Sequence, residues 1–587
     1  MWSPISAGLL SAMMVAVIGN LDGMVQLVQG AWHRLFHPEQ ALPLLDFSFW
    51  RSSRMIPPLD EIDGSPLAFW LPADRIPGFT DVSHHITEFP FFTFLFADLH
   101  AHMMVIPFTL LVIGLGVSLA VGLRNSGWLW TVIASTGLAL GLGSLWVINS
   151  WDYPPYLVLV LVLLGLASYG LRVTRTRKLA CFGLLSVGVI GLSLLFFLPF
   201  HQTYETFNAG IAASKWRTPL DRYLVIHGLF LFVVITFLIY RGRQSLAPMF
   251  RTLFGQGNVP GSDAVLTAGD RLRLAFLSIG LAAAVYLALA GYWTAAILLP
   301  LVLLTGLVLV AELGREGQDG LFAAIPLIIL GMALSIGIGV DFVRLNGDIG
   351  RMNTLFKLYL EGWILFSLAA GYMLWYLGDR GWLSRIWSRD RWWAKLAWTG
   401  ILAVLLASSL IYPVLGGKAR IDDRFGDTPV SLEGTAYMAK AVYQEEDRPL
   451  QLKWDLEAVR WLQDNVEGSP VILEAHHQQY HWTSRVAAYT GLPTVLGWPW
   501  HQIQQRTSYA YAVQERSQDI SEIYSTADVG RAQELLTKYE VEYIVVGELE
   551  RAHYPAPGLD KFEQMVGKGL VFPEFRNQGV NIYRVLW

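Results

Sequence analysis

The sequence predicts a mainly α-helical polytopic membrane protein, with about eleven transmembrane helices followed by a C-terminal soluble α/β domain. The composition is 53% hydrophobic and only 15% charged, with a mean hydropathy of +0.41, which lies outside the range of soluble globular chains. Windows of roughly 20 apolar residues, enough to cross the hydrocarbon of a bilayer, recur from the N-terminus to about residue 413 and then stop. The 587 residues are also too many for one compact core.

The expected spans run over 5–28, 90–123, 127–149, 154–171, 179–199, 222–240, 272–290, 292–311, 321–340, 355–377 and 396–413, chosen by apolar length and flanking charge. Residues 5–18 have the length of a signal-peptide core. No basic residue precedes them and the apolar character continues towards Gly30, so they read as a retained first span. Cys181 is the single cysteine, which excludes a disulfide within the chain and a cysteine metal cluster. The formal net charge of -4 and the scattered basic residues argue against nucleic-acid binding.

Basic residues near span ends set the orientation, because they are retained on the cytoplasmic side. Arg172, Arg175, Arg177 and Lys178 form one cluster, Arg241, Arg243 and Arg251 a second, and Arg380, Arg385, Arg389, Arg391 and Lys395 a third. All three fall on one face of the predicted topology. The N-terminus is then cytoplasmic, and the segments 29–89, 151–153, 200–221 and 341–354 are external, together with everything after Tyr412. The unusual polar motifs all fall on this external side.

Residues 1–413 thus form the expected transmembrane domain, with 29–89 as an external loop, and 414–587 an extracytoplasmic α/β domain. A polar stretch at 416–428 reads as the linker. Beyond it, Leu456, Val459 and Leu462 have helical spacing, and Val471 to Glu474 reads as a buried strand. A helix over 531–539 leads into a β-branched run at 542–547, and 491–497 reads as a further short strand. The alternation suggests a βαβ-like unit, without a GxGxxG or Walker sequence.

Three motifs place ionisable groups beside lipid-compatible runs, where such groups normally face a partner or a cavity. ITEFPFFTFLFADLHAHMM at 86–104 carries Glu88, Asp98, His100 and His102. In an extended segment Asp98, His100 and His102 project from one side, a half-site for a divalent cation; on a helix Asp98 and His102 share a face. The alternative is a satisfied hydrogen-bond network at the interface. Asn149 to Tyr156 joins two spans, and its Asp152 is a candidate base, substrate anchor or cation ligand, or else the N-cap of the helix that Pro154 and Pro155 begin. The third motif, 347–359, carries Arg351, Asn353, Lys357 and Tyr359. External cations of this kind suit a phosphate or pyrophosphate; the alternative is an Asp348–Arg351 pair beside a snorkelling Lys357.

In the soluble domain Glu474, His476, His477, Tyr480, His481, Arg485, Trp498, Trp500, His501, Gln504, Gln505 and Arg506 concentrate aromatic and hydrogen-bonding groups. Trp498, His501, Gln505 and Arg506 are the substrate-binding candidates. Sugar recognition and packing against the membrane domain both account for such a surface.

The strings RSSRMIP at 51–57, ITEFPFFTFLFADLHAHM at 86–103, NSWDYPPY at 149–156, GDIGRMNTLFKLYLEGW at 347–363, PVILEA at 470–475, TGLPTVLGWPWHQIQQR at 490–506 and YIVVGELERAHY at 543–554 resemble the YYY-domain family of polytopic membrane proteins, placed near the GT-C superfamily of membrane glycosyltransferases. The resemblance implies a GT-C-like fold, a sugar donor carried on a polyprenyl phosphate, an external active site with an acidic base, and in some members a divalent cation such as Mg or Mn. The family's upstream portion, with its acidic loop and Tyr-Tyr-Tyr-Phe-Gly motif, has no counterpart in this sequence, so a second chain supplying it is an expected partner.

The resulting expectation is a glycosyltransferase that uses membrane lipid as its medium and a lipid-linked sugar as its donor. Asp98 or Asp152 serves as base, Asp98, His100 and His102 as metal ligands, and Arg351 and Lys357 as phosphate clamps. The alternatives are a transporter or lipid flippase, whose signature would be an internal repeat, and a non-catalytic subunit of a membrane glycosyltransferase.

Overall fold

The computed structural model describes residues 4–36, 38, 47–57, 85–205, 210–253, 268–315, 318–379, 392–425, 428 and 431–587. Most of the expected external loop 29–89, and the basic residues Arg380, Arg385, Arg389 and Arg391, lie outside them. Two compact units emerge, one of Met1–Thr203 with Asn208–Ile421, the other of Tyr204–Phe207 with Asp422–Trp587.

The first unit is a helical bundle. Among the described residues nine helices are long and apolar enough to cross a membrane, and Pro4–Ala16 and Tyr153–Tyr169 are shorter apolar helices. In chain order the helices are α1 (Pro4–Ala16), α2 (Asp22–Phe36), α3 (Pro90–Phe96), α4 (Ala101–Met104), α5 (Ile106–Gly122), α6 (Trp128–Ile148), α7 (Tyr153–Tyr169), α8 (Arg175–Leu195), α9 (Leu198–Thr203), α10 (Leu220–Leu253), α11 (Ala268–Leu289), α12 (Trp293–Leu313), α13 (Gln318–Gly339), α14 (Met352–Asp379), α15 (Trp392–Ile411) and α16 (Gly417–Phe425). The stretch expected as a linker is therefore helical from Gly417 to Phe425.

Two of the expected spans are interrupted. The first breaks between α1 and α2, where the Asn20 amide donates to Ser52 O. The run at 90–123 breaks after α3, whose C-cap Ala97 takes a left-handed conformation at φ 58°, a cost an alanine accepts only when its surroundings impose it. That break turns the chain through Asp98 and His100 before α4 begins.

Helix α14 is the most buried span of the bundle. Trp363 on it donates its indole N–H to Met14 O at 3.0 Å. Gly371 lets α1 approach closely, since a Cβ there would meet Ser11 Oγ at 2.1 Å. Its N-terminus is set by Asp348, which accepts from the backbone N–H of Asn353 (3.1 Å) and Thr354 (2.8 Å) and from the Thr354 hydroxyl. The preceding turn needs glycine at Gly350, which has φ 59° and lies against the Trp216 ring. Just upstream, β1 (Ile211–Ala213) and β2 (Val343–Leu345) pair antiparallel with Ile211 opposite Leu345.

The second unit is α/β. Its strands β3 (Val442–Glu445) and β4 (Arg448–Gln451) form a hairpin, and β5 (Val471–Leu473), β6 (Val541–Val546), β7 (Val571–Arg576) and β8 (Asn581–Val585) form a sheet of order β5-β6-β8-β7. Only β5 and β6 run parallel. The helices between those two strands are α18 (Arg485–Thr490), α19 (Pro499–Gln505), α20 (Ala510–Ser525) and α21 (Val529–Lys538), with α17 (Leu452–Asn465) before β5. The expected strand at 491–497 reduces to a single bridge between Thr494 and Ile472. Tyr524 links β5 and β6, its hydroxyl donating towards Leu473 O and Val545 O.

One buried charge cluster ties this unit together. Arg485 Nη1 and Nη2 grip Glu550 at 3.1 and 3.0 Å, while its Nε lies 2.9 Å from Asp455. Glu550 also accepts the backbone N–H of Ala475 and Gly547, and Glu474 those of Val486 and Ala487. Three carboxyl groups surround one guanidinium. Burial pushes the Glu474 carboxyl, the one farthest from the cation at 3.9 Å, up to about 7.

Candidate functional site

The three polar motifs of the membrane unit converge on Lys357. This residue lies in the second turn of α14, and its Nζ is 3.0 Å from His102 Nδ1. The ammonium stands among the charges of Asp152, Glu88 and Glu361. On the other side of the imidazole, His102 Nε2 is 3.3 Å from Glu88 Oε2, and the Thr93 hydroxyl and Arg54 also donate to Glu88. Those partners assign the tautomer: Nε2–H donates to the carboxylate and Nδ1 accepts. Burial favours a protonated Glu88, but the bond from His102 and the Arg54 charge outweigh it and hold the carboxyl below its usual range.

Asp152 is 1% exposed. It occupies the N-cap position of α7 yet makes no capping hydrogen bond. The local sequence explains why. An N-cap carboxylate accepts from the N–H groups two and three residues on, and both of those residues, Pro154 and Pro155, have none. The carboxylate is held instead through Oδ1 by the Asn149 amide at 3.0 Å; no N–H or alcohol donor among the described residues reaches Oδ2, and the Glu361 carboxyl lies within hydrogen-bonding reach of Asp152, so that one shared proton joins the two acids. Burial pushes this carboxyl above the ordinary carboxylate range, and the Lys357 charge only partly offsets the effect. Next to it, the Tyr156 hydroxyl donates to Glu361, one turn beyond Lys357 on α14. The cluster therefore sets one ammonium among three buried carboxyl groups, of which Asp152 and Glu361 contact each other, an arrangement able to move a proton beside a fixed positive charge.

The remaining candidates are placed as follows. Asp98 and His100 are exposed in the turn before α4. His100 Nδ1 lies 3.1 Å from His102 Nδ1. Asp98 is not among the groups around Lys357 or Glu88. A divalent cation does not fit this arrangement: Lys357 already faces Nδ1 of His102 and Glu88 its Nε2, and no three His, Cys, Asp or Glu side chains converge as a metal site among the described residues.

Arg351 is fully buried and its expected partner is corrected. It pairs with Asp341 at 2.6 Å and donates to Val340 O and Thr218 Oγ1, while Asp348 caps α14 instead. Tyr359 closes the same network on Thr218 at 3.3 Å. These two residues are engaged in packing α10, α13 and α14, a poor position for clamping a phosphate. Asn353 donates its amide to Asp348.

In the second unit Trp498 donates to Thr483 Oγ1, and its ring lies 5.4 Å from that of His501. Arg506 is exposed and donates to Gln502. The side chain of Gln505 lies outside the described residues.

Glu361 and Tyr156 complete the Lys357 cluster without having been singled out in the sequence. For Glu361 a signal existed, since a lone carboxylate inside a lipid-spanning helix points to a partner.

No curated protein matches the chain. Among solved structures, the archaeal oligosaccharyltransferase AglB from Archaeoglobus fulgidus, in complex with an inhibitory peptide and a dolichol-phosphate, is similar at 13% identity and a TM-score of 0.26, over 77% of this chain and 52% of that one. This chain thus spans about half the length of that structure. The model of the family described as an uncharacterised membrane protein family, DUF2298, matches residues 1–366, more than half of the sequence, and the chain belongs to that family.

Proposed function

We propose that this chain acts as a GT-C-like membrane glycosyltransferase, moving a sugar from a polyprenyl-phosphate-linked donor to an acceptor at the external membrane face. The observation that carries the reading is the buried Lys357 ammonium with the Asp152 carboxyl among the charges around it, the latter sharing its proton with Glu361. The sequence resemblance to the YYY-domain family supports the donor class. Following the basic clusters, the N-terminus is cytoplasmic and the second unit extracytoplasmic.

In the proposed step an acceptor hydroxyl attacks the anomeric carbon, the bond from that carbon to the phosphate oxygen breaks, and polyprenyl phosphate leaves. Lys357 stabilises the charge gathering on the departing phosphate, and Asp152 takes the acceptor's proton. Glu88 and His102 are positioning residues that orient Lys357. Of the two carboxylates proposed from sequence, Asp152 is preferred to Asp98 because it is buried beside the cation. A divalent cation, Mg or Mn, enters as a variable of the test, since no set of three His, Cys, Asp or Glu ligands is assembled among the described residues.

The test is transfer of radiolabelled sugar from a panel of polyprenyl-phosphate donors, in membranes containing this chain, with and without Mg or Mn. Transfer lost in Asp152→Asn and in Lys357→Gln, at unchanged levels of folded protein, supports the reading. Full transfer in both variants overturns it. Silence from this chain alone with transfer on adding a second chain carrying the family's upstream acidic loop would assign it a subunit role.

A further inference from the structure

The second unit contains a cavity of about 750 Å³, within the size range of small-molecule sites. Its walls come from the segment after β5, from α19 and α20, and from the end of α22 (Glu548–His553). None of the lining residues is Asp, Glu, Lys or Arg. The polar groups are imidazoles, glutamine amides and serine hydroxyls, and the apolar ones include Trp500 and Tyr554. Trp500 is 55% exposed, so a large aromatic face is left unused.

The imidazoles are oriented from behind. Glu445, buried, accepts from His481 Nδ1 at 2.9 Å, and His553 Nε2 stands 3.2 Å from the same oxygen without a hydrogen bond. His477 stacks on His553 with ring centroids 4.8 Å apart. His476 Nε2 is 2.6 Å from Ser517 O, so that nitrogen carries the proton and Nδ1 is an acceptor. Nδ1 of His476 and Nδ1 of His477 are buried without a hydrogen-bond partner among the described residues.

From these features we infer that the cavity is a binding site for a neutral saccharide, whose hydroxyls meet the imidazole, glutamine amide and serine groups of its walls and whose apolar ring face lies on Trp500. The chemistry selects this class. An anion would find no Lys or Arg side chain among the lining residues. A polyol supplies donors and needs no countercharge, and its C–H face matches an indole plane. The site is separate from the Lys357 cluster and does not depend on the transferase reading.

The experiment uses the full chain in detergent and methyl glycosides of glucose, mannose, galactose and N-acetylglucosamine as probes, with saturation-transfer NMR as the readout. At least one glycoside is expected to bind saturably. Trp500→Ala should weaken that binding about tenfold and Trp500→Phe much less, with the thermal midpoint of the protein unchanged in both. No saturable binding of any glycoside to the folded protein would overturn the inference, as would binding indifferent to Trp500→Ala. Stoichiometric Zn²⁺ binding that persists in Trp500→Ala and displaces the glycoside would also overturn it, assigning the imidazoles to a metal.

Discussion

In the second unit Arg485 is surrounded by Asp455, Glu474 and Glu550; in the first, Lys357 is surrounded by Glu88, Asp152 and Glu361. Each cluster sets one cation among three buried carboxyl groups, but they are finished differently. The guanidinium has a fixed fork of donors that engages Glu550 twice and reaches Asp455, and backbone N–H groups complete Glu474 and Glu550. The ammonium is a point charge, and its hydrogen-bond partner is an imidazole, with the carboxylates farther off. Asp152 Oδ2 has no N–H or alcohol donor among the described residues, and Asp455 Oδ1 in the second unit likewise has no hydrogen bond, only the charge of Arg485 2.9 Å away. The cluster richer in hydrogen bonds, from Arg485 and backbone N–H groups to Glu474 and Glu550, holds a fold together, whereas the one built on a point charge can exchange a partner with a substrate.

The largest effect that would break this comparison is on chemistry. Asp152→Asn and Lys357→Met should each lower sugar transfer by about 10²–10⁴-fold, the usual range for loss of a positioned base or charge stabiliser. Because burial raises the Asp152 carboxyl, residual transfer in the wild type should decline on its acid side at a higher pH than an ordinary carboxylate would give. Next in size, Arg485→Met leaves buried carboxylates without their cation. It should destabilise the second unit by about 3–5 kcal/mol, read as faster hydrogen exchange in β5 and β6 with the spans of the first unit unchanged.

A smaller effect follows from Glu474, whose carboxyl rises from 4.5 to about 7 on folding. The folded state then binds a proton that the unfolded state has released. This contribution is complete below pH 4.5 and is lost as pH rises through 7, roughly 3 kcal/mol in all. Glu474→Gln should flatten that part of the profile of second-unit stability against pH. Smallest of all, Asp98→Asn should change transfer by less than about twofold, because exposed charges away from a site act weakly.

Much of this was legible in the sequence. Nine of the eleven expected spans correspond to helices of spanning length and the other two begin or end as shorter apolar helices, because a run of apolar residues constrains the backbone to hydrogen-bond within itself. The three motifs that supply Glu88, His102, Asp152 and Lys357 stood out as ionisable groups beside apolar runs. Partners distant in the chain did not. Asp348 was the visible mate for Arg351, three residues away, whereas Asp341 reaches it only after the turn at 347–350 has folded. The capping alternative for Asp152 could have been settled from sequence alone, since Pro154 and Pro155 offer no N–H to cap. Glu361 was legible by the same rule, as a carboxylate inside an apolar span, but its partners Tyr156 and Asp152 lie on a different segment.

The central claim, that Lys357 with Asp152 forms a working anion site rather than a structural one, is tested most directly by binding of a polyprenyl phosphate to the purified chain. The account predicts saturable binding that weakens at least about tenfold in Lys357→Met and is unchanged in Asp98→Asn. Equal affinity in wild type and Lys357→Met would contradict it.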